Sequence, residues 1–277
     1  MRLGTSSPLF YSSGEDWARQ QAEIGCAAVN FPVGSNESIE RIDEYKHAAE
    51  KYGLLIAEVG IWRNAIAPDP EERRRNTDFC VEQLRLADYI GARCAVNVAG
   101  ALGPRWDGHY KANFSKEAFD ITVASVREII DRADVKHTYF TLEPMPWMIP
   151  SSPREYLRLM EAVDRDRFAV HLDAINMINS AERYFNTEEF IDECAELLGD
   201  RVKSCHIKDV RLAEEFTLRL EECAPGQGEF PLRYYAERFD RIDPDMPFIL
   251  EHLSRDEDYH TYLKVLKEEL NGLYKTL

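Results

Sequence analysis

The sequence predicts an α/β protein, a closed (β/α)8 TIM barrel in a single domain spanning residues 1–277. Short apolar runs alternate with longer runs of helical periodicity, and the alternation repeats eight times along the chain. Strict β–α alternation implies parallel strands joined by right-handed crossovers. A length of 277 residues suits eight such units closed into one barrel. An open dinucleotide-binding sheet is the alternative, but no G-x-G-x-x-G follows the first strand.

The elements follow in order. Residues 2–6 ("RLGTS") are the first strand, and 15–25 ("EDWARQQAEIG") a helix ending on Gly25 as its C-cap. Residues 26–31 ("CAAVNF") are the second strand. Residues 38–53 form a helix that opens on Ser38 as its cap and stops at Gly53. The run "LLIAEVGI" (54–61) is the third strand. The helix after it, 69–91, carries Pro70 near its start and Gly91 past its end. "CAVNVAG" (94–100) is the fourth strand, followed by a helix over 115–134. "YFTLEPM" (139–145) is the fifth, followed by a helix over 152–164 with Pro153 at its first position. "FAVHLDA" (168–174) is the sixth, followed by a helix over 186–199 with Asn186 or Thr187 as cap and Gly199 as stop. "VKSCHIKDV" (202–210) is the seventh, with a helix over 231–242. "PFILEHL" (247–253) is the eighth, and 256–273 is the closing helix. The longest irregular stretches, 101–114 and 210–230, both follow strands, the side on which barrel enzymes carry function.

Composition narrows the function. Hydrophobic residues make up 44% and charged residues 30%, enough for a sizeable core beneath a solvated surface. The net charge of −16 repels phosphate backbones and anionic membranes, so neither nucleic acid nor membrane is an expected partner. The opening stretch has no long apolar core and does not read as a signal peptide. No run of 18 apolar residues appears. The six cysteines are scattered without a C-x-x-C pair, which fits reduced thiols and a cytoplasmic location.

The strand ends hold the chemistry. The fifth strand ends at Glu143, the sixth at His171 and Asp173, the seventh at His206, and the eighth at Glu251 and His252. Side-chain alternation lets Glu143, Asp173, His206 and Glu251 all point into one rim. Any one of them alone reads as a cap, a salt bridge or a core histidine. Four at equivalent places on four successive strands read as a metal site. Buried polar groups need partners, neighbouring acids resist ionising together, and a divalent cation resolves both. Three oxygens and one nitrogen suit octahedral Mn²⁺, Mg²⁺ or Co²⁺ better than a thiolate-type zinc site. His171, two residues before Asp173, lies on the same face one layer deeper, in reach of the ligands. His252 is expected to pack behind the barrel. Lys208 shares the His206 face, placed to touch substrate or to neutralise Asp173. Asp209 is expected to cap or pair within the following loop, and "APGQGEF" (224–230) reads as a tight turn into the next helix.

The ordered set "TLEP", "HLDA", "CHIKD", "PGQGEF" and "ILEH" resembles the xylose isomerase-like barrel superfamily of sugar isomerases and epimerases. The resemblance covers essentially the whole chain and is strongest from 139 to 253. It implies one divalent ion per chain, Mn²⁺ first and Mg²⁺, Co²⁺ or Zn²⁺ after it, held by Glu143, Asp173, His206 and Glu251. It further implies that Glu143 and Glu251 act as the acid/base pair on a ketose or keto-sugar through a metal-stabilised enediolate. Relatives are often dimers or tetramers, so a homo-oligomer is expected, with a partner subunit an open alternative. The sequence departs from the ketose epimerases in three places. A histidine usual after the metal-binding Asp is Asn176, an acid usual after the first Glu is Ile149, and an arginine usual after the metal-binding His is matched only by Arg211. Asn176, Lys208, Arg211, Trp147 and His171 are accordingly the candidate substrate contacts. The segment "HLDAINMINSAERYFN" is also similar to superfamily members acting on 3-oxo-glycosides, in which the same metal site eliminates the glycosidic group. A lyase of that kind is the second expectation, and a non-catalytic carbohydrate-binding barrel the third. Endonuclease IV-type repair enzymes share the barrel but use more histidines around a cluster of zinc ions.

Overall fold

Eight parallel strands close on themselves in the computed structural model, which describes residues 1–275. They are β1 (Arg2–Thr5), β2 (Ala28–Asn30), β3 (Leu55–Gly60), β4 (Cys94–Asn97), β5 (Phe140–Leu142), β6 (Phe168–Leu172), β7 (Val202–Ile207) and, after a two-stranded hairpin, β10 (Pro247–Leu250). The hairpin is β8 (Asp209–Leu212) with β9 (Leu220–Cys223), antiparallel and outside the barrel. Each barrel strand pairs with its sequence neighbour, and β1 closes the ring onto β10, with Arg2 opposite Pro247 and Thr5 opposite Leu250.

The predicted helices all form. They are α1 (Gly14–Glu23), α2 (Ile39–Lys51), α3 (Pro70–Ile90), α4 (Lys116–Ala133), α5 (Pro153–Val163), α7 (Thr187–Leu198), α8 (Leu232–Asp240) and α9 (Asp256–Glu269), with a short α6 (Ala181–Phe185) ahead of α7. Their starts follow local chemistry. Ser13, Ser38, Asp69, Ser115 and Ser152 each accept a backbone N–H of the first turn, satisfying donors that the helix itself leaves open. Gly91 ends α3 at φ +75°, a conformation costly for residues with a Cβ. Gly199 does not act as a left-handed stop; it stays right-handed and continues into a single 3-10 turn to Arg201. Asn186 sits at the α7 cap position without its side chain accepting an N–H of the turn.

The seventh strand is shorter than the sequence suggested. The barrel pairing ends at Ile207, and the chain leaves as a hairpin from Asp209. Asp209 causes this. Its buried carboxylate accepts N–H bonds from Val210, Gly226, Gly228 and Phe230, gathering both ends of the 210–230 excursion onto one side chain. A Cβ at Gly228 would stand 2.3 Å from both the Asp209 carboxylate and the Val210 carbonyl, so this approach needs glycine. The expected role of Asp209 in the loop and the turn over 224–230 are therefore both observed.

A second irregularity lies in β3. Val29 of β2 pairs with Ile56, but Asn30 pairs with Glu58, so Ala57 is an extra residue in the ladder. Such a bulge resets the alternation of faces. It turns Glu58 towards the barrel interior.

Among the described residues, no helix is long and apolar enough to cross a membrane.

Candidate metal centre and active site

Four strand ends build the centre. Glu143 directly follows β5 and its N–H donates to the Asn97 carbonyl of β4. Asp173 directly follows β6, His206 lies in β7, and Glu251 directly follows β10. All four are buried, and each offers one ligand atom within 4.8 Å of the others. His206 Nδ1 is the hub, 3.0 Å from Glu251 Oε2, 3.5 Å from Glu143 Oε1 and 3.8 Å from Asp173 Oδ2. Yet among the described residues neither His206 Nδ1 nor Asp173 Oδ2 finds a hydrogen-bond partner. Buried polar atoms left this way are rare in folded proteins, and their convergence fits a cation held between them.

The electrostatics agree. Burial and the neighbouring Glu251 charge push the Glu143 carboxyl up to about 7. Burial pushes Glu251 the same way, but His206 and Lys208 overcome it and hold that carboxyl well below the usual range. Burial likewise disfavours charge on His206, and the surrounding carboxylates more than reverse this, raising it well above the ordinary imidazole value. The pocket is short of positive charge, and a divalent ion supplies what the side chains lack.

Lys208 supplies part of it. Its buried Nζ donates to Glu251 Oε1 at 2.8 Å, and lies 2.7 Å from Asp173 Oδ2 without the alignment of a hydrogen bond. The neutralisation of Asp173 expected of Lys208 is thus in place. Asn176 sits in the turn after Asp173. Its N–H donates to Asp173 Oδ1 at 3.0 Å, and its Nδ2 donates to Glu143 Oε1 at 2.9 Å. It braces two of the quartet's carboxylates. His171 is fully buried one layer down, its ring edge-on to that of His206 with centroids 4.1 Å apart.

Two candidates are engaged elsewhere. Arg211 lies on β8, where its guanidinium pairs with Glu221 of β9 across the hairpin instead of reaching the quartet. Trp147 donates its ring N–H to the Asp107 carbonyl at 2.8 Å, and its own carbonyl accepts from Asn113, tying together the loops after β4 and β5. Met148, beside it, is buried. His252 corrects an expectation. It does not pack behind the barrel: at φ +59° its side chain turns to the rim, half-exposed, with Nδ1 2.8 Å from Glu222 Oε1 of β9. The left-handed backbone directly after Glu251 breaks the alternation that would have sent it outward.

Glu58 is the residue missed from sequence. Buried inside the barrel, it faces His171 Nδ1 and His206 Nε2, each at 3.4 Å, and accepts the Ser204 hydroxyl. With His171 and His206 it forms a second group able to hold an ion by ligand type. An acid within "LLIAEVGI" was the only signal in the sequence, and the register shift that turns it inward leaves no mark in the apolar pattern.

A closed eight-stranded barrel with carboxylates and an imidazole converging on its C-terminal rim defines the class. The chain belongs to the xylose isomerase-like TIM barrel family, whose model matches residues 18–275. Among curated relatives, a probable endonuclease 4 of Persephonella marina is 25% identical over 249 residues, 83% of each chain. Among solved structures, endonuclease IV of Thermus thermophilus superposes with a TM-score of 0.74 at 14% identity, covering 98% of this chain and 99% of that one. The 3-keto-D-glucoside 4-epimerase of E. coli superposes with a TM-score of 0.70 at 16% identity, covering 97% and 99%. At such identities the structural likenesses establish the fold.

Proposed function

We propose that this protein is a divalent-metal-dependent isomerase or epimerase of a ketose or keto-sugar. The observation that carries the reading is the buried quartet of Glu143, Asp173, His206 and Glu251, in which one histidine nitrogen meets three carboxylates. Those four residues would hold the ion. When bound, it would polarise the oxygens of a hydroxyketone and lower the cost of removing the proton from the neighbouring carbon. Glu251 and Glu143 are the acid/base pair, one taking the carbon's proton and the other returning one to the opposite face. Asn176 fixes the orientation of Glu143 through Oε1, and His206 together with Lys208 keeps Glu251 ionised. The fold likeness to the keto-glucoside epimerase supports a keto-sugar substrate.

The endonuclease relatives favour a second reading, cleavage of DNA at abasic sites. A net charge of −16 weighs against it, because phosphate-backbone binding draws on positive charge. Elimination from a 3-oxo-glycoside would use the same first proton transfer and differ only in losing a leaving group.

The test begins with the metal content of purified protein and of His206→Ala by mass spectrometry. About one ion per chain, lost in the variant, is expected. Ketoses and 3-keto-glycosides are then screened in heavy water for exchange at carbon, alongside an abasic duplex. Exchange without loss of a glycosidic group supports the reading. Absence of metal after reconstitution, or cleavage of the duplex alone, overturns it.

A further inference from the structure

We infer that Glu58 is a positioning residue that fixes the hydrogen of His206 on Nε2 and so turns the Nδ1 lone pair towards the metal-binding quartet. The inference rests on the metal-dependent reading above and extends it to a residue outside the quartet.

A neutral imidazole carries one N–H and one lone pair, and the partner of one nitrogen decides the role of the other. His206 Nε2 faces Glu58 Oε2 at 3.4 Å, while Nδ1 faces Glu251, Glu143 and Asp173. Both sides present carboxylates, so the ring's own preference does not choose between them. Glu58 is set apart by its other neighbours. It accepts the Ser204 hydroxyl on Oε1, and His171 Nδ1 stands 3.4 Å from the same oxygen without a hydrogen bond between them. Among the described residues only His171 and His206 come within ion-pair reach of it, whereas Asp173 and Glu251 have Lys208 and Glu143 accepts from Asn176. A buried carboxylate so placed must be satisfied by N–H and O–H groups, and the Nε2–H of His206 is one of them. The β3 bulge at Ala57 makes this contact possible, since regular alternation would leave Glu58 among the helices.

The test is Glu58→Gln, which keeps the shape and removes the charge. The Mn²⁺ dissociation constant, read by chelator competition, is expected to rise roughly 10- to 100-fold, the range for loss of a partner behind a ligating histidine. The unfolding transition of the metal-free protein is expected to stay cooperative at the wild-type midpoint. A purely structural role would move that midpoint and leave the dissociation constant alone. A folded Glu58→Gln with wild-type Mn²⁺ affinity overturns the inference and leaves the proposed function standing. A wild type that binds no metal sinks both. Should the variant fail to fold, the imidazole ¹⁵N spectrum of Zn²⁺-loaded wild type decides. Hydrogen on Nε2 of His206 supports the assignment, and hydrogen on Nδ1 refutes it.

Discussion

Lys208 Nζ lies 2.8 Å from Glu251 Oε1, with both side chains buried at the mouth of the barrel. The same ammonium stands 2.7 Å from Asp173, so one cation serves two members of the quartet. Neither β7 nor β10 alone would tolerate its own charge here, and each strand end supplies the partner of the other.

Removing one partner of a buried pair strands the other. Lys208→Met is expected to destabilise the metal-free protein by about 3 kcal/mol, the usual cost of an uncompensated buried charge. Bound Mn²⁺ should restore much of the loss, because it takes over the neutralisation of Asp173 and Glu251. Urea unfolding with and without chelator measures both. Equal loss in the two conditions would separate Lys208 from the metal centre.

Glu251→Gln and Glu143→Gln each keep the side-chain shape but cannot accept a proton. Each should lower turnover by roughly 10²- to 10⁴-fold, the contribution of a positioned acid or base. Circular dichroism should show an unchanged fold. Solvent deuterium incorporation into substrate distinguishes the two roles: the variant lacking the abstracting base loses exchange, and the other retains part of it. Near-normal turnover by either variant removes that residue from the mechanism.

The thiols should be inert. Burial pushes Cys26, Cys80 and Cys205 up to about 12, and Cys94 and Cys194 higher still. Cys223 on β9 is half-buried and is pushed up to about 11. Since the thiolate is the reactive form, native protein at pH 8 should yield at most one slowly reacting thiol, Cys223, to a disulfide reagent. All six cysteines of the sequence should react after unfolding. Rapid labelling of several thiols in the native state would contradict the packing of α3, β4, α7 and β7.

At the opposite end of the barrel, Lys275 and Arg2 hold the Asp245 carboxyl down to about 2. A depressed carboxyl stabilises the fold above its unfolded value of about 4 and loses that contribution as pH falls towards about 2. The pairs are partly exposed, so the contribution is under ~1 kcal/mol after solvent screening. Asp245→Asn should therefore lower stability slightly at pH 7 and flatten the acid side of the stability profile. An unchanged slope between about pH 4 and about pH 2, within the usual range for carboxyl titration, would mean the pairs contribute nothing.

The barrel and its quartet were legible because both follow from period. Apolar runs such as "CAVNVAG" and "FAVHLDA" mark strands, serine and proline mark helix starts, and residues ending consecutive strands must share a rim. What escaped lies where period fails. One extra residue at Ala57 reverses the facing of Glu58, and one left-handed residue after Glu251 reverses that of His252. Arg211 and the hairpin escaped for another reason. Their placement depends on Asp209 bonding to amides as far as 21 residues downstream, a distance over which sequence pattern carries no signal.

That anchoring has a further consequence. The excursion from 209 to 230 is fastened at its root by Asp209, and its tip is braced by the Arg219 pairs with Glu215 and Glu221, beneath a fully exposed Phe216. Root and tip are each held by their own chemistry, and the hairpin meets the rim through Glu222 of β9, 3.3 Å from Lys208 and 2.8 Å from His252. Substitutions at the exposed Phe216 should thus leave His206 undisturbed, whereas a change at Glu222 reaches Lys208 directly.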